Sequence, residues 1–297
     1  CSQIISNSEQ KILISGQILM NFIWSLMMFS LSFIFIFLLA NNKIPKIRKD
    51  IIITAILVGD FLFVNFSSLS FKPFNQVINT NLELISKIKG YPSTFRLYSP
   101  SYSISQEQGA FWGIHQINGV DPLQLTDYVD FFRGLSGVSN DEYSVTLPAF
   151  KTGNPNIDND GICPNINLLR KLNTKFIVSS FELKGCGVDS YELIDGQYLY
   201  EITGEDHYME FSDCQPEKAE FSIIKYSPNQ IDLEVTSCGG KVEFSEINYP
   251  GWEVYLNGQK ITLDKKSLFR SVNLPEGTYL VKMVFKPKIV YYSIFIQ

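Results

Sequence analysis

The side chains best suited to holding a polar ligand are Trp112 and His115, ahead of the Gly119-Val-Asp121 turn, together with Asp121, Arg96 and Arg133. An indole offers a flat apolar face with a polar edge, against which a sugar ring can stack. An arginine fork grips two oxygens of a phosphate or carboxylate at once. Arg270 is a further cation of this kind, but it sits in a run that reads as a strand, where arginine more often makes a surface pair. Trp252 follows a Pro-Gly turn and alternates with Val254, so it reads as a core residue.

These residues form no recognisable catalytic set. His115 and His207 are the only histidines, and neither has a cysteine or acid at zinc spacing. Gly134-Leu-Ser-Gly137 lacks the spacing of a nucleophile elbow. Glu205-Asp206 and Asp141-Glu142 read as solvent-facing turns rather than as an acid and base pair. Asn156-Ile-Asp-Asn-Asp-Gly161 has the alternating oxygens of half a calcium loop, yet Asn167 stands where the bidentate glutamate would be needed. No catalytic residue, metal ligand or cofactor is assigned. A net charge of −5, with no basic stripe outside one short loop, argues against nucleic acid as a partner.

The elements that would position these residues start with two apolar stretches. Ile12 to Ala40 carries no charge, and Ile51 to Phe71 carries only Asp60. An apolar run of about 18 residues or more is long enough to span a bilayer as a helix. The intervening Asn41–Asp50 segment holds Lys43, Lys46, Arg48 and Lys49, which would keep it cytoplasmic. The expectation is therefore a transmembrane helical hairpin over 1–71 in a bacterial cell membrane, with lipid as a partner and 72–288 extracytoplasmic. Asp60 becomes an intramembrane acid, read as facing a polar partner. The apolar end, 289–297, reads as the start of a further membrane helix, and the chain as a piece of a longer multi-pass protein.

Cys163, Cys186, Cys214 and Cys238 all fall in the segment expected to be exported, where disulfides persist. Proximity favours Cys163–Cys186 and Cys214–Cys238, although four cysteines allow three connectivities and free buried thiols remain an alternative.

An α+β region is expected over 72–204. It has a helix over Asn75–Lys89, a strand at Phe95–Tyr98, and a helix opened by Asp121-Pro122 with Leu125, Val129 and Phe132 inward. A long loop over 136–164, a short helix at Asn165–Leu172 and a strand at Lys175–Ser179 follow. Asp195-Gly196 then marks a tight hairpin, because both turn positions need positive φ. Over 205–288, seven short alternating runs are separated by turn signals, among them Cys238-Gly-Gly, Tyr249-Pro-Gly, Asn257-Gly258 and Pro275-Glu-Gly277. That spacing predicts an antiparallel β-sandwich.

Tyr249-Pro-Gly-Trp-Glu-Val-Tyr-Leu-Asn-Gly258, Leu268-Phe-Arg-Ser-Val-Asn-Leu-Pro-Glu-Gly277 and Val281-Lys-Met-Val-Phe-Lys-Pro287 resemble the C-terminal module of bacterial YfhO-type membrane proteins. Arg96-Leu-Tyr-Ser-Pro, Asn118-Gly-Val-Asp-Pro-Leu and Leu168-Leu-Arg-Lys-Leu-Asn-Thr-Lys-Phe-Ile-Val-Ser look like further landmarks of that family, in its order. The resemblance implies the C-terminal portion of a GT-C-like envelope glycosyltransferase that uses a lipid-linked sugar. Its exported part would help to bind an envelope-polymer acceptor, and its catalytic acids would lie upstream of this chain. The alternative is a non-catalytic, membrane-anchored glycan- or protein-binding module.

Overall fold

The computed structural model describes 19–37 except 21, eight positions between 51 and 62, and 73–287 apart from 93, 139–143, 189, 205–207, 213–218 and 265–266. The chain divides after Pro73 into two units, 1–73 and 74–297. In the first, the longest continuous helical run is 22–37. No helix among the described residues is long and apolar enough to cross a membrane. This overturns the transmembrane hairpin, and with it the multi-pass localisation and the extracytoplasmic placement of 72–288. Asp60, the basic loop and 289–297 lie outside the described residues.

The α+β membrane architecture is accordingly replaced by a mostly β fold, with sheets of four, two and six strands and a few short helices. The four-stranded sheet has the order β1 (Arg96–Tyr98), β4 (Thr174–Ser179), β6 (Gln197–Glu201), β5 (Tyr191–Ile194). β1 runs parallel to β4, and the other pairs are antiparallel. Successive strand residues face opposite sides, so both faces of the central strand can be covered. On one face Leu97, Phe176, Val178 and Leu199 pack with Leu84, Ile85 and Ile88 of the helix Leu82–Lys89. On the other, Tyr98, Ile177 and Tyr200 pack with Phe132 and Leu135 of Thr126–Ser136 and with Leu169 of Ile166–Lys171.

The β5–β6 turn also builds a helix cap. Asp195 and Gly196 take φ of 51° and 73°, as a two-residue hairpin requires. The Asp195 carboxylate then accepts hydrogen bonds from the backbone N–H of Glu83 (3.0 Å) and Leu84 (3.1 Å). It satisfies the open end of the helix Leu82–Lys89, whose own N-cap, Asn81, makes no side-chain cap bond.

The six-stranded sheet comprises β7 (Met209–Phe211), β8 (Glu220–Ser227), β9 (Gln230–Ile247), β10 (Trp252–Leu256), β11 (Gln259–Ile261) and β12 (Phe269–Phe285). Its order is β11-β10-β12-β9-β7, with β8 also paired to β9. Two of the expected turns are not turns. Cys238-Gly-Gly lies inside β9, Pro275-Glu-Gly277 lies inside β12, and Glu276 pairs with Cys238. Gly239 and Gly240 have φ of 95° and 105°, and Gly277 has 142°. The buried set on β9 switches across this kink from Ile231, Leu233 and Val235 to Val242 and Phe244. On β12 it switches from Val272 and Leu274 to Val281 and Met283. Glycines at neighbouring positions of both strands, Gly240 opposite Leu274 and Gly277 opposite Ser237, let the pleat phase change together, so both halves feed one core.

Other boundaries shift for local reasons. The helix expected over Asn75–Lys89 breaks into Phe74–Ile78 and Leu82–Lys89 at Asn81, whose φ is 57°. Asp121 does not cap a helix: its carboxylate accepts from the Leu123 N–H at 2.7 Å, and the helix begins at Thr126. Gln106–Trp112 is a helix closed by the reciprocal Ser105 and Gln108 capping box. Cys163 and Cys186 form a disulfide. Cys238 is also disulfide-bonded, and Cys214 lies outside the described residues.

Candidate functional site

The cationic candidates are committed to internal contacts. Arg96, at the start of β1, sends its guanidinium towards the end of β9. Nη2 donates to Glu246 Oε1 at 2.8 Å and to the Tyr226 hydroxyl at 3.4 Å. Nη1 donates to the Leu172 carbonyl at 3.0 Å and to the Ser245 carbonyl. The Tyr226 hydroxyl donates to the same Glu246 oxygen at 3.1 Å. Arg270 reaches Glu246 from the other side at 4.0 Å, donates from Nε to the Ile247 carbonyl at 3.2 Å, and stacks 3.7 Å over the Trp252 ring.

Burial alone would lower the Arg96 pKa, but Glu246 and the tyrosines Tyr226, Tyr208 and Tyr128 offset it, and the net shift is upward. Arg270, farther from the carboxylate, is pulled down by burial to about 10. This is a structural clasp between the four-stranded and six-stranded sheets, with no fork left for a phosphate. Arg133 pairs with Asp130 one helical turn away, at 2.9 Å on the surface.

The aromatic candidates fall beside the clasp or behind it. His115 sets its ring edge-on to Tyr226 at 5.2 Å, and burial plus the nearby Arg96 charge lower its pKa. Trp112 donates from Nε1 to the Ile78 carbonyl at 3.1 Å and carries Lys89 above its ring. In the would-be calcium loop, Asp158 accepts from the Thr152 N–H at 2.7 Å, and Asn156 accepts from the Ser180 hydroxyl at 2.8 Å. Among the described residues no group of three or more His, Cys, Asp or Glu side chains is placed to hold a metal.

Of the five, Asp121 lines a cleft of about 200 Å3 and Arg133 a much smaller one of about 20 Å3. The polar lining of the larger cleft is Gln106, Asn118, Asp121, Gln124, Tyr128 and Tyr249, with Ile117, Val120, Leu123 and Ile247 among the apolar lining. The wall from Gly119 to Asp121 is held by β2 (Gly119–Val120), which pairs with β3 (Thr146–Leu147), and by the Asp121 N–H donating to the Val145 carbonyl at 2.8 Å. A Cβ at position 119 would displace the Gln106 amide, the far end of a flexible side chain. Tyr128 donates to the Ile117 carbonyl at 2.8 Å, and burial raises its pKa to about 12, so it stays a neutral phenol. Tyr249 follows β9 on a turn in which its N–H bonds the Ile247 carbonyl at 2.9 Å. Val120, Leu123 and Tyr249 are exposed at this cleft.

Two amides in the lining have their orientation fixed and one atom left over. Asn118 Oδ1 accepts from the Ser99 N–H at 2.9 Å, which leaves Nδ2 buried without an acceptor. Gln124 Nε2 donates to the Val145 carbonyl at 3.0 Å, which leaves Oε1 buried without a donor. A buried polar atom lacking a partner costs about 1–3 kcal/mol. One unmatched donor and one unmatched acceptor are thus buried on two residues of the lining, beside an exposed carboxylate and an exposed aromatic ring. Among the described residues Asp121 is the one carboxylate in the lining.

Of these residues, sequence reasoning named only Asp121 as a ligand contact. Asn118 and Tyr249 open two of the motifs quoted for the family resemblance, and that was the available signal. No protein-family profile, curated protein or solved structure matches this chain.

Proposed function

We propose that the cleft between Asn118 and Tyr249 binds a saccharide, and that the chain is a non-catalytic recognition module. The glycosyltransferase context suggested by the YfhO-type motifs would make it the acceptor-binding portion of such an enzyme, with the sugar-transfer chemistry carried elsewhere. The observation that supports this reading is the pair of unmatched amide atoms in one small cleft. A sugar hydroxyl donates and accepts at once, so one chemical group answers both vacancies. The exposed Tyr249 ring supplies the apolar plane against which a pyranose C–H face packs.

Titration calorimetry of the full chain with neutral oligosaccharides tests the proposal. Tyr249→Ala and Asn118→Ala should each weaken binding by about tenfold, the equivalent of roughly 1.4 kcal/mol. Binding that neither substitution alters would place the ligand elsewhere and end this reading.

A further inference from the structure

We propose that the cleft is charge-selective, accepting neutral and amino sugars and rejecting uronic or phosphorylated ones, with Asp121 as the residue that sets this preference. The inference rests on the saccharide reading and specifies its substrate class.

Among the described residues Asp121 is the only charged one in the lining. It is exposed, and its Oδ1 is occupied by the Leu123 N–H at 2.7 Å, which holds the carboxylate in place beside the opening. Among the described residues no lysine or arginine lines the cleft to offset it. The cations that sequence reasoning would have offered to an anionic ligand are all engaged. Arg96 and Arg270 are turned into the junction around Glu246, and Arg133 pairs with Asp130. The remaining polar atoms of the lining are neutral amide and phenol groups. Such a site supplies hydrogen bonds to hydroxyls, an electrostatic partner for an ammonium, and only repulsion for a carboxylate or phosphate. Like charges brought together at an interface cost enough to exclude a ligand that otherwise fits.

The test compares three ligands of equal length on the full chain: cellotriose, fully deacetylated chitotriose and tri-galacturonate. Wild-type protein should bind the first two, and the uronate about tenfold more weakly or worse. Asp121→Asn keeps the bond from the Leu123 N–H and removes the charge. It should bring the uronate to within about twofold of cellotriose, read as the ratio of the two affinities measured on the same variant. Asp121→Ser serves as a second variant, and thermal melts of both check that the fold is kept. Equal binding of the uronate and cellotriose by wild type would overturn the selectivity and leave the saccharide reading standing. A gap that survives Asp121→Asn would overturn the role of Asp121. Failure of all three ligands to bind would remove the saccharide reading and this inference together.

Discussion

Two residues separate Glu246, near the end of β9, from Tyr249 just beyond it, yet the two serve opposite kinds of surface. Around Glu246 the charged groups are buried and matched: one carboxylate, two guanidinium groups, and a phenol that donates to the carboxylate. Around Tyr249 the groups are mostly neutral, and two of the amides keep an unmatched atom. The difference teaches where to look for function in this fold. Charge, which draws the eye in a sequence, has been consumed in joining the two sheets. Amides and an aromatic ring, which look ordinary in a sequence, carry the spare hydrogen-bonding capacity.

The comparison can be broken most severely at Glu246. Glu246→Ala would leave Arg96 and Arg270 buried without their carboxylate, and breaking such a pair costs about 3–5 kcal/mol. Equilibrium denaturation should show that loss; a change below about 1 kcal/mol would mean that the clasp is not what joins the sheets.

Alkaline titration should show a smaller effect. Burial raises the pKa of Tyr226, of Tyr208 and of Tyr128, the last to about 12, so in the folded chain these phenols keep their protons where the unfolded chain loses them. Their contribution is fully present below pH ~10 and is lost as pH rises through the folded values. Arg270, lowered to about 10, acts in the opposite sense over the same range and reduces the slope. Stability should therefore fall between pH 10 and 12 by on the order of 1–3 kcal/mol, and Tyr226→Phe should make the fall shallower. Denaturant midpoints at pH 9 and 11 would check both statements.

The smallest stability effect is expected on the other side of the comparison. Tyr249→Ala removes an exposed ring and should change stability by no more than about 1 kcal/mol, while it abolishes most of the binding. A larger stability loss would make Tyr249 part of the clasp and erase the distinction.

Local chemistry was legible in the sequence where a few adjacent residues decide the outcome. The Asp195-Gly196 hairpin is an example, since its positive φ values follow from residue type. The inward set of Ile85, Ile88 and Phe132 was legible from helical spacing. The kinked strands were not, because Gly-Gly and Pro-Glu-Gly carry the same local signal in a turn as in a strand that bends. Only the pairing of Glu276 with Cys238 separates the two cases. The apolar N-terminal stretches read as membrane helices, whereas no helix among the described residues is long and apolar enough to cross a membrane. The cleft was hidden for a topological reason: its lining comes from 106, 117–128, 147 and 247–249. Those segments meet only after both sheets have formed and Arg96 has reached Glu246.

Backbone amide shift mapping of the full chain during titration with a neutral disaccharide tests the central claim most directly. The account predicts saturable shifts concentrated at 117–125, 145–147 and 247–249, with a midpoint about tenfold higher in Tyr249→Ala. Saturable shifts centred elsewhere, or none at concentrations up to tens of millimolar (~10 mM and above, beyond the weakest useful affinities), would contradict it.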